Sequence, residues 1–282
     1  MLSYRHAFHA GAPADVLKHA VLAFTLRHAT AKPKPLYVLD THAGAGGYDL
    51  RSPMAQKTGE ASRGILLLQG EPGPWPPLLE DLRSLVIEAN ADEPGGAWVR
   101  YPGSPYIAQA LLRPDDRLEL VELHTTDHAA LAELFENEPE TRVTRDDGLG
   151  YLVASMPPFE RRGVMLIDPS YEMKTEYADV VAALAGAHRR FATGTYLLWY
   201  PVIDRLRIDA LLYELSATGV RSQYRIELCT APDDAHRGLT GSGLVVVNPP
   251  WTLPAAAEEG LPWLAERLGA TGPLTAEWLV PE

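Results

Sequence analysis

The sequence predicts an α/β fold: a doubly wound, mostly parallel sheet carrying a small helical insertion. Three observations predict it. Short apolar runs alternate with amphipathic stretches of helical length along most of the chain. The first run, Leu36 to Leu39, ends in Asp40 and passes at once into a glycine-rich turn, Thr41 to Gly47. Acids also follow the later runs, at Glu122, Asp147 and Asp168, where such sheets hold their ligands.

The elements follow in order. Asp15 to Thr30 reads as a helix, with Val16, Leu17, Ala20, Val21, Phe24 and Leu26 mostly on one face, stopped by Pro33 and Pro35. Leu36 to Leu39 is a continuous apolar run, as expected of a strand buried on both faces. Arg117 to Leu123 is the second strand, Thr126 to Asn137 a helix, and Arg142 to Thr144 a short third strand before Asp146-Asp147-Gly148. Gly163 to Ile167 is the fourth strand, ending in Asp168, and Thr175 to Phe191 is a helix. Strands at 194–200, 224–230 and 243–247, a helix at 204–217 and a last edge strand at 274–280 complete the pattern.

One interval is out of scale. The acid closing the second strand of such a fold lies about 20 residues past the glycine turn, whereas Glu122 lies far beyond that distance from Gly46. The surplus, roughly 50 to 60 residues, is read as a helical subdomain at 48–98 inserted between the first and second strands. Six prolines punctuate it, and Pro76-Pro77 opens an amphipathic helix with Leu78, Leu79, Leu82, Leu85 and Val86 along one stripe. The chain of 282 residues is then one catalytic domain with an insertion rather than two domains in series.

Composition excludes several classes. With 46% hydrophobic residues the chain is not disordered. No apolar stretch approaches the roughly 18 needed to span a bilayer, and the first residues lack a signal-peptide apolar run. The single cysteine, Cys229, excludes an internal disulfide and fits a reducing cytoplasm. The net charge of −12 weighs mildly against nucleic acid as partner.

The chemistry-bearing residues weigh the other way. Gly44 and Gly46 remove Cβ atoms where the backbone must turn tightly against a ligand. Asp40 four residues before Gly44 resembles the acid–x–x–x–Gly–x–Gly turn of class I S-adenosylmethionine methyltransferases, in which the acid serves the methionine end of the cofactor. Glu122 can accept both ribose hydroxyls, and Asp147-Gly148 lies where an adenine amino group needs an acceptor. Lys18 and His19, before the first strand, could flank the cofactor carboxylate, although a solvated helix face remains open for Lys18.

Asp168-Pro169-Ser170-Tyr171 resembles the Asp/Asn-Pro-Pro-aromatic loop of amino-methyltransferases. An exocyclic amine is a poor nucleophile because its lone pair is delocalised into the ring. The Asp168 carboxylate and the Pro169 carbonyl would hold its two N–H bonds, and the Tyr171 ring would stack on a base swung out of its stack. Ser170 stands where the second proline is usual. A competing loop, Asn248-Pro249-Pro250-Trp251, matches the pattern more strictly but leaves too little chain after it. Position therefore favours Asp168 as catalytic and leaves Asn248 as a structural turn. Tyr4, Arg5, His6 and His9 crowd the N-terminus; His6 and His9 lack further ligands at zinc spacing, so no metal is expected.

Taken together the residues closely resemble the RlmJ family, which methylates N6 of an adenine in 23S ribosomal RNA. The matching stretches include Met-Leu-Ser-Tyr-Arg-His at 1–6, Phe-His-Ala-Gly at 8–11, Asp-Val-Leu-Lys-His at 15–19, Leu-Asp-Thr-His-Ala-Gly-Ala-Gly at 39–46, Tyr-Pro-Gly-Ser-Pro at 101–105, Trp-Tyr-Pro-Val at 199–202 and Asn-Pro-Pro-Trp at 248–251. The resemblance implies a Rossmann-like methyltransferase with cofactor contacts from His19, His42, Ser104, Glu122, Asp147 and Gly148, with Asp168 as catalytic acceptor and Tyr4 at the RNA. His6, Ser170 and Tyr171 are placed with Tyr4 on the substrate side, and Lys18, Asp40, Gly44 and Asp168 with the cofactor. Gly11-Ala12-Pro13-Ala14 departs from the family's Gly-Asn-His-Ala.

The expected function is S-adenosylmethionine-dependent N6-adenine methylation of 23S rRNA, on free or early-assembly RNA, by a cytoplasmic monomer without metal. Competing readings are amino-methylation of DNA adenine, rRNA guanine N2 or a protein glutamine, and a catalytically silent RNA-binding protein of the same fold. A basic RNA-facing patch is expected from Arg5, Lys18, Lys32 and Lys34 together with Arg161, Arg162, Lys174, Arg189 and Arg190 around the catalytic loop.

Overall fold

The computed structural model describes residues 4–233 and 238–282. Met1, Leu2 and Ser3 of the N-terminal motif lie outside them. The chain opens with helix α1 (Pro13–Thr30), whose Pro13 sits at the first turn where its missing N–H costs nothing. Strand β1 (Tyr37–Asp40) follows, then β2 (Gly47–Asp49) and helices α2 (Pro53–Thr58) and α3 (Pro77–Ala89). Strand β3 (Arg100–Pro102) pairs antiparallel with β2, Gly47 opposite Pro102 and Asp49 opposite Arg100. This ribbon brings the two ends of the long β1–β4 connection together.

Next come α4 (Ser104–Leu111), β4 (Arg117–Val121), α5 (Thr125–Leu134), β5 (Thr141–Thr144), α6 (Gly148–Ser155), β6 (Gly163–Ile167), α7 (Glu176–Arg190) and β7 (Thr195–Val202). The chain ends with α8 (Arg205–Ala217), β8 (Gln223–Cys229), β9 (Gly241–Val247), α9 (Leu253–Arg267) and β10 (Leu274–Val280).

The eight-stranded sheet has the order β10-β8-β9-β7-β6-β1-β4-β5. β5, β4, β1, β6 and β7 run parallel, and β9 and β10 are antiparallel to their neighbours. The order reverses at β1, which pairs with β4 on one side and β6 on the other, so the loops leaving β1, β4 and β6 share one edge.

Side chains alternate between two apolar layers. Val38, Leu118, Leu120, Val164 and Leu166 pack with α1, α3, α4 and α9, whereas Leu39, Val121, Met165 and Ile167 pack with α6, α7 and α8. Leu78, Leu79, Leu82, Leu85 and Val86 of α3 are all buried, and α3 packs on α1 and α9. Trp75, just before α3, lies 5.1 Å from Trp263 of α9.

Four elements carry no sequence expectation above: the β2–β3 ribbon, α4, α6 and α9. Each is short or masked by its residues. The ribbon strands are three residues long, α6 begins Gly-Leu-Gly, and α9 contains Pro262 inside the helix. Among the described residues no helix is long and apolar enough to cross a membrane.

Candidate active site

A cleft of about 440 Å³ opens over the shared edge of β1, β4, β5 and β6. The sequence-predicted residues that reach it are Tyr4, His6, His42, Gly44, Glu122, Asp147, Gly148, Asp168, Pro169 and Ser170. They come from the N-terminal segment and from the four loops after β1, β4, β5 and β6, which meet because each parallel strand delivers its following loop to the same edge.

Two glycines make this convergence possible. Gly44 adopts φ +60°, and a Cβ there would run into the Tyr48 hydroxyl. A Cβ on Gly148 would run into the backbone carbonyl of Thr41, so the loops after β1 and β5 touch only because residue 148 has no side chain.

Glu122 is aimed by main-chain amides. Its Oε2 accepts from Gly44 N at 2.8 Å and its Oε1 from His124 N at 2.6 Å. Each oxygen keeps a second lone pair for a ligand hydroxyl. Burial raises its pKa. Asp147 caps α6, its Oδ2 accepting from Gly150 N at 2.9 Å. The His42 ring lines the cleft and is pushed down to about 4 by burial, so it is neutral at pH 7.

Beneath the cleft sit Asp40, Ser104 and His19, all buried. Asp40 Oδ1 accepts from His42 N at 3.2 Å, but Oδ2 is buried with no hydrogen-bond partner among the described residues. Burial pushes this carboxyl up to about 6, against a lowering by the Ser104 hydroxyl. A buried acceptor left alone costs stability, a cost that a donor placed there would relieve. His19 Nδ1 bonds the Tyr101 hydroxyl at 2.9 Å, and burial holds its pKa well below the usual histidine range.

Lys18 is not on a solvated face. Its ammonium is buried, 2.5 Å from Asp168 Oδ2 and 3.0 Å from Asp15 Oδ1. Burial opposes the charge, but the two carboxylates outweigh it and raise the lysine pKa. The line continues through Asp15 Oδ2 to His6 Nε2 at 2.8 Å and from His6 Nδ1 to the Tyr4 hydroxyl at 3.0 Å. Asp15 therefore joins the site. The clue in the sequence was its three-residue spacing from Lys18 on a helix. Burial raises the Asp168 carboxyl, with Lys18 pulling it back, and Oδ1 of Asp168 has no partner among the described residues.

Asp168 lies on a wall shared by two cavities. The second, about 170 Å³, is bounded by Tyr4, His6, Lys18, Asp168, Ser170 and Trp199, among others. Trp199 went unnoticed as a site residue because it belongs to a strand far along the chain. Its indole Nε1 is buried without a partner among the described residues.

Three expectations are corrected. Tyr171 lines neither cavity: its φ of +54° turns the side chain inward, its hydroxyl donates to the Trp199 carbonyl at 2.7 Å, and its ring packs on Tyr177 at 4.6 Å. It braces the loop from behind instead of offering a face to a base. Lys18, expected beside the cofactor carboxylate or else on a solvated helix face, does not line the cleft but bounds the second cavity as a buried counter-ion to Asp168 and Asp15. The basic patch is not gathered at the catalytic loop. Arg161 and Arg162 precede β6 while Asp168 follows it, and Arg189 and Arg190 end α7, which returns to the same far edge. Arg162 there donates to the carbonyls of Ala29 and Lys34. Five strand residues separate the two edges by about 16 Å. The cleft itself carries Glu122, Asp127, Asp147, Asp168, Glu176 and Asp179.

Topology also separates the two Pro-containing loops. β9 runs antiparallel to β7, with Val247 opposite Tyr196, so Asn248 emerges at the edge away from the cleft. Its side chain donates to the carbonyls of Ala192 and Gly194, both at 2.8 Å.

Comparison with known proteins follows the same lines. The model of the family described as "Ribosomal RNA large subunit methyltransferase D, RlmJ" matches residues 33–280. The Escherichia coli protein named ribosomal RNA large subunit methyltransferase J is 46% identical over the whole of both chains. Its namesake from Haemophilus influenzae is 45% identical, again over the full length of each. A crystal structure of a Legionella pneumophila protein superposes with a TM-score of 0.86 at 36% identity, covering 96% of this chain and 98% of that one.

Proposed function

The chain belongs to the RlmJ family of ribosomal RNA large subunit methyltransferases, and from that premise we propose that it methylates N6 of an adenine in 23S rRNA, using S-adenosylmethionine as donor. The observation that carries the reading is the Asp168 carboxylate on the wall shared by two cavities, one suited to a nucleoside cofactor and one to a base, with Oδ2 held by Lys18 and Oδ1 unpartnered among the described residues.

The residues present fit the cofactor. The unpartnered Oδ2 of Asp40 suits an ammonium group, Glu122 suits a pair of ribose hydroxyls, and the Asp147-Gly148 turn suits an adenine edge. His42, Gly44 and Ser104 complete the proposed cradle, with His19 supporting it from below. S-adenosylmethionine supplies an electrophilic methyl carbon when bound.

The chain's own residues do the rest. Lys18 occupies Oδ2 of Asp168 and leaves Oδ1 to accept one amine N–H, while the Pro169 carbonyl takes the other. Holding both N–H bonds draws the nitrogen toward sp³ geometry and frees its lone pair toward the methyl carbon. Positioning and charge placement supply most of the rate. The proton released from the methylated amine is taken at Asp168 Oδ1. Tyr4 and His6, tied to each other and to Asp15, bound the base pocket, with Ser170 at its entrance. Residues 48–98 act as an inserted subdomain, and a monomer acting on free or early-assembly RNA is the working form.

Incubation with deproteinised 23S rRNA, followed by mass spectrometry of its nucleosides, tests this. N6-methyladenosine at a single position is the expected product. N2-methylguanosine, or no product, overturns the reading.

A further inference from the structure

A third cavity adjoins the base pocket and has no part in the chemistry above. It measures about 350 Å³ and shares Ala12, Ala14, Glu60 and Leu239 with the base pocket, so the two adjoin along a common wall. The three cavities thus lie side by side, from the cofactor cleft past Asp168 to the start of α1, the end of β8 and the start of β9.

Its walls differ from those of the cleft. Pro13, Leu67, Leu228, Leu239 and Leu268 supply apolar surface, and Leu67 and Leu239 remain 45% and 42% exposed. Ser62, Thr230 and Ser242 add hydroxyls. Arg63 stands at the wall, exposed, with no ion pair or hydrogen bond to its guanidinium among the described residues. The one carboxylate at the junction, Glu60, is held by His9 Nδ1 at 3.0 Å.

We infer that this cavity receives the nucleotide next to the target adenine, with its base against Pro13, Leu67 and Leu239 and its phosphate at Arg63. The inference rests on the proposed function and extends it to the sequence around the target. A base drawn out of its stack into the pocket beside Asp168 pulls its neighbour along the backbone, and this is the cavity, among those described, that adjoins the pocket away from the cofactor cleft. Aliphatic walls accept any base by dispersion contact and exclusion of water, and a guanidinium with no partner among the described residues matches the one charge each nucleotide must bring. This also answers the acidic cleft: RNA affinity is placed beside the chemistry instead of inside it.

The test uses the full chain and an RNA hairpin cut from 23S rRNA around the methylated adenine. Methylation kinetics are measured with the intact hairpin and with abasic sites at each neighbour of the target. For the wild-type protein, an abasic site on one side should raise KM for RNA about tenfold. In Leu67→Trp, which fills the cavity, KM should already be raised, and the same abasic site should have no further effect. Arg63→Ala should raise KM and reduce the salt slope of binding by about one. S-adenosylhomocysteine binding by calorimetry reports whether each variant is folded. Equal KM for all three hairpins overturns the inference while leaving the methylation reading intact. An intact hairpin that is never methylated overturns the reading instead. A changed oligomeric state in Leu67→Trp, with KM for RNA untouched, assigns the face to a second copy and also overturns the inference.

Discussion

The ammonium of Lys18 bridges Asp168 and Asp15, at 2.5 Å and 3.0 Å, inside the protein. One buried cation thus serves a carboxylate of its own helix, α1, and one from the loop after β6. It occupies Oδ2 of Asp168 and leaves Oδ1 with no partner among the described residues.

Removing that cation should move the pH profile. Lys18 lowers a carboxyl that burial otherwise raises. In Lys18→Met, Asp168 takes up its proton at higher pH, so the acid limb of kcat shifts upward and the rate at neutral pH falls. Stability should drop by about 3–5 kcal/mol, because two buried carboxylates lose their partner. Lys18→Arg should restore much of the wild-type limb. An unmoved limb in Lys18→Met would remove the electrostatic role.

Cofactor affinity should depend on Asp40. Burial raises its carboxyl to about 6, and an ammonium group binds the ionised form. Affinity for S-adenosylhomocysteine should therefore be flat above that pH and fall about tenfold per unit below it. Calorimetry from pH 5 to 8 reads this directly. The Asp40→Asn variant should bind weakly with no such slope, and an identical slope there would show that another group titrates.

The two Pro-containing loops should separate in mutation. Asp168→Ala should lower kcat by about 10²–10⁴ while cofactor binding stays near wild type. Asn248→Ala removes donors to the Ala192 and Gly194 carbonyls and should cost about 1–3 kcal/mol in stability, with methylation retained below the melting temperature. The reverse pattern would exchange the roles of the loops.

Gly148→Ala should push the β5 loop off the Thr41 carbonyl. We expect a loss of about 1–3 kcal/mol by thermal melting and weaker cofactor binding. A variant that matches wild type in both would show that the two loops need not touch.

Much of this was written in the chain. Apolar runs ending in Asp40, Glu122 and Asp168 mark strands that deliver acids to one edge, because parallel strands must all finish there. The α3 stripe from Leu78 to Val86 is legible because helical period alone decides which face is buried. The β2–β3 ribbon and α9 were not legible. Three-residue strands carry no period, and Pro262 disguises a helix that burial against α3 sustains. Trp199 was missed because its neighbourhood is created by strand order, not by sequence distance.

The sequence by itself determined the fold class, the family and about half of the residues that line the cleft, since these depend on local pattern and residue type. Tertiary structure alone decided direction and pairing. It turned Tyr171 inward, tied Lys18 to Asp168 and Asp15 in a buried triad, and sent the arginines at 161, 162, 189 and 190 to the far edge of the sheet. Side-chain type records what a residue can do. What it does depends on which strand end it occupies and which charges lie buried with it, and both are set only when distant segments pack together.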